Sequence, residues 1–261
     1  LYELYKITGN NNHLTAAHLF DETNLFNTIA AGNNVLPGKH ANTTIPKFVG
    51  ALNRYSTLGS SESSYLNAAQ KFFEIVLRDH TYVTGGNSEN ELFREAGKLY
   101  ATSTNVNNET CNTYNMLKLS RELFKVTADV KYADFYERTF INAIMSSQNP
   151  ETGMTMYFQP MATGYFKVFG SETNHFWCCT GTGMENFTKL NDSLYFYNST
   201  EVYVNMYLSS TLNWSEKGFS LTLTANLPDS NKVNFTINSA PSTSVNLKFR
   251  SPAWIPAGQN I

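Results

Sequence analysis

The chain carries three cysteines, Cys111, Cys178 and Cys179, two of them adjacent. An odd number of cysteines gives no simple disulfide framework, and adjacent cysteines rarely bridge each other because the geometry is strained. Thiolates are strong zinc ligands because zinc stabilises the deprotonated sulfur. Three of them would leave one corner of a tetrahedral site to a glutamate or a histidine. The alternative interpretation is that they are buried cysteines acting as small hydrophobic side chains.

The cysteine spacing differs from that of a zinc finger, which uses paired C-x-x-C knuckles. A metal that joins distant segments fits a site inside a folded domain better than it fits a small zinc module. Glu109 lies two residues before Cys111 and is a candidate acid for glycoside hydrolysis, which pairs an acid with a nucleophile or base. Its place near a predicted helix start favours the charged form, so burial must raise its pKa before it can donate a proton. The alternative interpretation is an ordinary glutamate of a first helical turn, which is the commoner case for an isolated glutamate.

Other polar residues cluster in a Gly-rich segment, 84–93, which carries Glu89 and Glu91. Small residues also follow the adjacent cysteines, and we predict a helix over 183–190. Backbone N–H groups at the start of that helix would depress the pKa of a nearby thiol. The glycines at 181 and 183 favour a close approach of the backbone to a metal or a sugar.

A helical hairpin pattern recurs through the first two thirds of the chain. Each copy is an amphipathic segment, a short turn and a second amphipathic segment, over 4–20, 54–73 and 123–140. Repeated helical hairpins indicate either an open solenoid or a closed α/α barrel. The unequal spacing of the copies and the long insert at 84–108 favour a barrel with functional loops at one end.

The pattern changes near residue 195, where apolar and polar residues begin to alternate. We predict antiparallel strands of a β-sandwich over five segments: 194–197, 202–208, 219–224, 233–237 and 245–249. The sequence therefore predicts an α+β chain of two domains. The first, 1–195, is helical, and the second, 196–261, is the start of an antiparallel sandwich.

Composition narrows the function classes. Aromatic residues make up 14% of the 261 residues, which suits a large core and the stacking of flat ligand faces. The 19 basic and 21 acidic residues form no basic stripe, so we expect no nucleic-acid partner. No apolar run reaches the ~18 residues that a membrane span needs. A homodimer is left open. The thiols favour the bacterial cytoplasm, with a periplasmic or secreted location also open.

Leu1 already lies in a helical pattern, so we expect the chain to be a piece of a longer protein. Four segments form a distinctive set: GKHANTTIPK at 38–47, TGGNS at 84–88, ETCNTYN at 109–115 and FWCCTGTGMEN at 176–186. Through these segments the chain resembles glycoside hydrolase families 127 and 146, the β-L-arabinofuranosidases. The pairing of Glu-Thr-Cys with Cys-Cys is the specific part.

The resemblance implies an (α/α)6 barrel, incomplete at its N-terminus here, followed by β-sandwich domains. It also implies a retaining hydrolase that releases β-L-arabinofuranose from plant-derived glycans, with Zn²⁺ as cofactor. By resemblance Cys178 is the nucleophile and Glu109 the acid/base. The implied zinc ligands are Glu91, Cys111, Cys178 and Cys179, and the implied sugar contacts are His40 and Tyr157. Glu91 is chosen because the family pattern has a glutamate two positions before a phenylalanine, as in Glu91-Leu92-Phe93.

Two other functions stay open at this point. One is a related glycosidase that acts on another sugar of pectic side chains. The other is a carbohydrate-binding or structural protein in which zinc only holds the fold. A polysaccharide lyase would share a helical barrel, but it would usually need a basic pocket for uronates, which this nearly neutral chain does not indicate.

Overall fold

The computed structural model describes residues 1–189, 191–241 and 243–256. The chain divides into two compact units, Leu1–Thr188 and Lys189–Ile261. The described part of the first unit is helical, and that of the second unit consists mainly of strands. The mixture of helices and strands confirms the predicted fold class at this level, while the domain bounds 1–195 and 196–261 remain a prediction.

Eight α-helices lie in the described part of the first unit. They are α1 (Tyr2–Thr8), α2 (Asn11–His18), α3 (Thr23–Ala30), α4 (Ala41–Leu58), α5 (Ser63–Asp79), α6 (Thr110–Thr127), α7 (Val130–Thr139) and α8 (Cys178–Thr188). A π-helical turn over Phe140–Ile144 extends α7. The long segment between α5 and α6 is a loop with one short 3-10 turn, Tyr100–Thr102.

The three predicted hairpins are confirmed as α1–α2, α4–α5 and α6–α7. The first ends its leading helix at Gly9, whose φ of 65° is left-handed, a conformation that glycine adopts without strain. Ala128 fills the same position after α6 with a φ of 52°. Asp129 then caps α7, because its carboxylate accepts the N–H of Lys131 at 3.1 Å.

Aromatic residues form the core on which these helices pack. Helix α4 packs against both α5 and α6. Phe48 of α4 stacks on Phe72 of α5, with ring centroids 3.9 Å apart, and meets Phe26 of α3 edge-on at 5.3 Å. All three rings are buried, and full burial of such a side chain contributes about 1.5–3 kcal/mol. Closure of the helices into an (α/α)6 barrel remains a prediction.

Six strands lie in the described part of the second unit. They are β1 (Tyr195–Tyr197), β2 (Glu201–Val204), β3 (Ser210–Trp214), β4 (Phe219–Ala225), β5 (Val233–Ser239) and β6 (Asn246–Phe249). They form two three-stranded sheets, ordered β1-β2-β6 and β3-β4-β5. Val202, Val204, Leu221 and Leu223 are buried in one shared apolar cluster. The sandwich itself remains a prediction.

The five predicted strands match β1, β2, β4, β5 and β6, but the prediction that all are antiparallel is wrong. Strand β6 pairs with β2 in parallel, with Val202 opposite Leu247. Alternation within a strand reports which side chains face the core, and it carries no information on the direction of a neighbour distant in sequence. Strand β3 was missed because Ser210, Thr211 and Asn213 make it read as a polar turn.

Among the described residues, no helix has the length and apolar character needed to cross a membrane.

Candidate metal centre and active site

Two helix starts bring the cysteines together. Helix α6 begins directly after Glu109, as predicted, so Cys111 lies in its first turn. Helix α8 begins at Cys178, earlier than the predicted 183–190, so both adjacent cysteines belong to its first turn. Residue 190, the predicted end of this helix, lies outside the described residues. Because α6 packs against α8, the two helix starts meet.

Four donor groups converge at this meeting point. Ligand atoms of Glu109, Cys111, Cys178 and Cys179 all lie within 4.8 Å of one another. The Sγ atoms of Cys111 and Cys179 are 3.1 Å apart, and those of Cys178 and Cys179 are 4.0 Å apart. Sulfur ligands at about 2.3 Å from a tetrahedral zinc lie about 3.8 Å from each other. The number, chemistry and spacing of the donors therefore fit a metal ion.

The four donors differ in their access to solvent. Glu109 and Cys179 are each 1% exposed and Cys111 is 4% exposed, whereas Cys178 is exposed. Cys179 Sγ also lies 3.7 Å from Oε1 of Glu109, on the buried side of the cluster. A molecule that approaches from solvent therefore meets the thiol of Cys178 first.

Burial and crowding perturb the acid groups of the cluster. Desolvation, followed by the nearby charges of Cys111 and Glu91, raises the pKa of Glu109 to about 8. A hydrogen bond with Cys179 lowers the pKa of Cys111 to about 6, and the same bond raises the pKa of Cys179. Such a concentration of acid groups is stabilised in its deprotonated form by a cation, which agrees with the spacing of the donors.

Glu91 lies beside this group, joined to it through Tyr157. The Tyr157 hydroxyl donates a hydrogen bond to Glu91 and lies 3.7 Å from Cys178 Sγ. On its other side, Oε2 of Glu91 is 3.1 Å from Nε2 of His40, and the two side chains are 32% and 36% exposed. The structure thus brings all of the predicted site residues together. It places Glu109 among the four clustered donors and Glu91 in a half-open position facing His40 and Tyr157.

Tyr157 is held in place through the start of α6. The N–H of Thr110 donates to the carbonyl of Tyr157 at 3.0 Å, and its hydroxyl donates to the carbonyl of Met156 at 2.8 Å. The N–H of Thr110 is one of the backbone groups that the first turn of a helix leaves without a partner inside the helix. The same turn that presents Cys111 therefore fixes the tyrosine.

The loop that carries Glu91 has an unusual backbone. Ser88, Asn90 and Glu91 have φ values of 74°, 47° and 66°, in the left-handed region that side chains other than glycine rarely adopt. Neighbouring segments hold it: the N–H of Asn90 donates to the carbonyl of Val106, and the N–H of Ala41 donates to that of Glu91, both at 2.8 Å. Strain of this kind concentrates at functional sites.

Three contacts escaped the sequence reasoning. Thr182 Oγ1 lies 3.0 Å from Cys111 Sγ, and its place one helical turn after Cys178 was a usable signal. Asn112 Nδ2 donates to Ser88 Oγ at 2.7 Å beneath the loop, a contact between distant segments that no local pattern reveals. Glu89, the other acid of the loop, instead accepts a hydrogen bond from Arg94 Nε at 2.7 Å.

Gly183 explains how closely α8 approaches its neighbour. A Cβ atom at this position would lie 2.4 Å from Thr155 Oγ1, whereas one at Gly181 would meet no atom within 4 Å. Gly183 therefore allows a close approach to another segment of the chain, while the predicted approach of these glycines to a metal or a sugar remains a prediction.

Comparisons with known proteins identify the family to which both parts of the chain are similar. The family model for the catalytic domain of GH127 β-L-arabinofuranosidases matches residues 1–192, and the model for the middle domain of the same family matches residues 201–260. No curated protein matches the sequence.

Solved structures share the fold. A GH127 β-arabinofuranosidase is 24% identical with a TM-score of 0.80, covering 97% of this chain and 41% of its own. A protein described as a glycoside hydrolase is 20% identical with a TM-score of 0.75, covering 97% of this chain and 48% of its own. A GH127 β-L-arabinofuranosidase from Geobacillus stearothermophilus T6 is 19% identical with a TM-score of 0.75, covering 96% of this chain and 46% of its own. The chain thus spans less than half the length of these proteins.

Proposed function

The chain belongs to glycoside hydrolase family 127, and on that premise we propose that it carries the active site of a retaining hydrolase that releases β-L-arabinofuranose from plant-derived glycans. The observation that supports this function best is the exposed thiol of Cys178, set among three buried metal-ligating groups. A cysteine so placed has the access and the neighbours that a nucleophile requires.

The metal we propose is zinc, held by Glu109, Cys111, Cys178 and Cys179. Three thiolates and one carboxylate are donors that zinc accepts in a tetrahedral site. When bound, zinc supplies stabilisation of thiolates at neutral pH, so that Cys178 needs no separate base. Thr182, next to Cys111, orients that thiolate by donating its hydroxyl hydrogen.

For the two glutamates we propose the exchange of the roles that the resemblance implied. Glu109 is 1% exposed and its neighbour Cys179 is equally buried, so a leaving group has no path to its oxygens. Glu91 is about one third exposed and lies across Tyr157 from the nucleophile. Glu91 is therefore better placed to protonate a leaving oxygen, and Glu109 to complete the metal site. The activity and zinc content of Glu91→Gln and Glu109→Gln distinguish this assignment from the opposite one.

The first step uses Cys178 and Glu91. The thiolate attacks the anomeric carbon, the bond from that carbon to the leaving oxygen breaks, and Glu91 gives its proton to the oxygen. The product of this step is a thioglycoside on Cys178. The hydroxyl of Tyr157 reaches both groups, so its hydrogen can turn to the thiolate while Glu91 holds a proton.

The second step reverses these roles. Glu91, now a carboxylate, takes a proton from water, the water oxygen bonds to the anomeric carbon, and the carbon–sulfur bond breaks to restore the thiolate. The hydrogen of Tyr157 points to Glu91 while that group is a carboxylate, and it turns back to the thiolate as Glu91 takes up the proton. His40 holds the other carboxyl oxygen at 3.1 Å and so keeps the acid pointed at the sugar.

Replacement of Cys178 by Ser tests the proposal. The variant should lose hydrolysis of β-L-arabinofuranosides, and a β-L-arabinofuranose-like electrophile should label Cys178 in the unchanged protein, as detected by peptide mass spectrometry. The released sugar should keep its anomeric configuration in NMR. Labelling of a glutamate in place of Cys178 would contradict the cysteine nucleophile.

A non-catalytic zinc-stabilised carbohydrate-binding protein is the second candidate, favoured by the burial of three of the four donors, since closed sites are typical of structural zinc. Such a protein would bind sugar without hydrolysing it, and the change Glu91→Gln would leave its sugar binding unchanged. A related glycosidase acting on another pectic sugar is distinguished by a panel of aryl glycosides.

A further inference from the structure

A cavity of about 440 Å³ lies directly beside the nucleophile. Tyr157 and Trp177 form part of its wall, and their rings meet edge-on with centroids 5.8 Å apart. Trp177 immediately precedes Cys178, and Tyr157 contacts its sulfur. Because Tyr157 belongs to both the cavity wall and the active site, and Trp177 precedes the nucleophile in sequence, the cavity lies beside the active site. The volume falls in the range of about 300–1,000 Å³ typical of ligand pockets.

The rest of the wall consists mainly of apolar and aromatic side chains. Phe158, Val106 and Phe166 line it, together with Tyr165. Phe166 is 79% exposed and Tyr165 is 54% exposed. Large rings exposed side by side around a cavity are uncommon on a protein surface and mark a binding region. None of these four residues has a part in the chemistry proposed above.

The position of the cavity relative to the two reacting groups indicates which part of a substrate it would receive. One wall carries Trp177, next to the nucleophile. Another part of the wall carries Val106, whose carbonyl accepts the N–H of Asn90, the residue before the proposed acid Glu91. The leaving oxygen must lie at Glu91, so the group attached to that oxygen extends along the Val106 side.

We infer that this aromatic cavity, lined by Tyr157, Phe158, Phe166 and Trp177, binds the sugar ring from which arabinofuranose is released. The inference deepens the proposed function and rests on it. A sugar ring presents an apolar face of C–H groups, and aromatic rings bury such a face well. The cavity thus favours substrates in which β-L-arabinofuranose is attached to a second sugar over those with a small alkyl leaving group.

Two substrates and two variants test the inference. The substrates are methyl β-L-arabinofuranoside, whose leaving group is too small to fill the cavity, and a disaccharide of β-L-arabinofuranose linked to a second arabinose. Phe166→Ala should lower kcat/KM for the disaccharide about 3- to 10-fold, the range expected for one lost aromatic contact, and leave the methyl glycoside within twofold. Phe20→Ala is the matched control, because Phe20 is 76% exposed and lies outside the cavity. It should change neither value.

A binding measurement separates this inference from the proposed function. In saturation-transfer NMR the second ring of the disaccharide should receive saturation from the unchanged protein, and Phe166→Ala should reduce that signal. If the ring is saturated while neither substrate is hydrolysed, the proposed activity fails and the cavity assignment survives. If the disaccharide is hydrolysed without saturation of its second ring, or if Phe166→Ala affects both substrates equally, the cavity assignment is overturned. An absence of both signals overturns both.

Discussion

The hydroxyl of Tyr157 lies 3.7 Å from the sulfur of Cys178 while it donates a hydrogen bond to Glu91. One phenol therefore joins the exposed thiol to the half-exposed carboxylate. Burial and the hydrogen bond to Glu91 raise the pKa of Tyr157, so its hydroxyl keeps its hydrogen at neutral pH. That hydrogen is available to whichever of the two groups carries negative charge.

Removal of this hydroxyl should impair catalysis without unfolding the site. We expect Tyr157→Phe to lower kcat by about 10²-fold or more, the scale of a positioned proton donor, because Cys178 and Glu91 would both lose their contact with the Tyr157 hydroxyl. Zinc content and melting temperature should stay close to those of the unchanged protein. Tyr100→Phe serves as the control, because it removes a hydroxyl from a side chain that is 95% exposed and lies outside the cavity. A kcat within threefold for Tyr157→Phe would argue against its role.

Substitution of the two glutamates should affect different quantities, activity for Glu91 and zinc binding for Glu109. We expect Glu91→Gln to lower activity by about 10²- to 10⁴-fold with zinc content retained, and to do so less for a 4-nitrophenyl leaving group, which departs without protonation. Glu109→Gln should weaken zinc binding, measured by competition with a chromogenic chelator. The opposite result, with zinc lost in Glu91→Gln and kept in Glu109→Gln, would restore the assignment that the resemblance implied.

Substitutions at Cys111 and at its neighbour Thr182 should lower the affinity for zinc by different amounts. Cys111→Ser removes a thiolate ligand, and we expect it to weaken zinc binding by more than the roughly 10- to 100-fold typical of lost outer partners. Thr182→Val removes the hydroxyl 3.0 Å from that sulfur, and we expect its loss of zinc affinity to lie within that 10- to 100-fold range. Thr182→Ser keeps the hydroxyl and should bind zinc normally. Equal affinities across the three variants would mean that the metal lies elsewhere.

The two glycines of α8 should differ in their tolerance of alanine. Gly183→Ala places a methyl group 2.4 Å from Thr155 Oγ1, and we expect overpacking to cost about 1–3 kcal/mol of unfolding free energy. Gly181→Ala meets open space and should be neutral or stabilising by up to about 1 kcal/mol, because alanine favours the helix. Chemical denaturation of both variants measures the contrast. Equal stability of the two would show that α8 does not pack closely at Thr155.

Stability should depend on pH through His80, which lies before the Gly-rich loop. Burial lowers the pKa of His80 from 6.5 to about 4, and Nδ2 of Asn34 lies 2.9 Å from its Nε2, so this nitrogen accepts a hydrogen bond in the neutral ring. The folded state therefore binds the proton less well than the unfolded state. The stabilisation is complete above about pH 6.5 and declines as the pH falls toward 4, by at most about 1.4 kcal/mol per pH unit.

His80→Gln supplies the comparison for that pH dependence, because glutamine cannot be protonated. The difference in unfolding free energy between the two proteins should shrink as the pH falls from 6.5 to 4, while the carboxylates they share titrate alike. A constant difference across this interval would show that His80 stays exposed to protons in the fold.

The helical hairpins could be predicted from sequence because their signals are local. Gly9 ends α1 and Asp129 caps α7, and each lies within a few residues of the amphipathic pattern that predicts its helix. The parallel pairing of β2 with β6 could not, because register and direction depend on residues more than forty positions apart. Closure of the barrel depends on such distant contacts throughout.

The site shows the same division. The types and spacing of the cysteines left open both a metal centre and three buried hydrophobic side chains, and the family resemblance implied the metal centre. The structure brings the three thiols together. The burial of the two glutamates could not be predicted from the sequence. Glu91 and Glu109 are both glutamates in polar segments of the sequence, yet in the fold Glu109 is buried and Glu91 is about one third exposed.

Cys111 and Cys179 meet although 68 positions separate them in sequence. A metal ion held by both would act as a reversible cross-link that closes a loop of that length. By the loop-entropy relation used for covalent bridges, such a closure restricts the unfolded chain by about 4 kcal/mol. A chelator that removed the ion would therefore also raise the conformational entropy of the unfolded chain and so lower the stability of the fold.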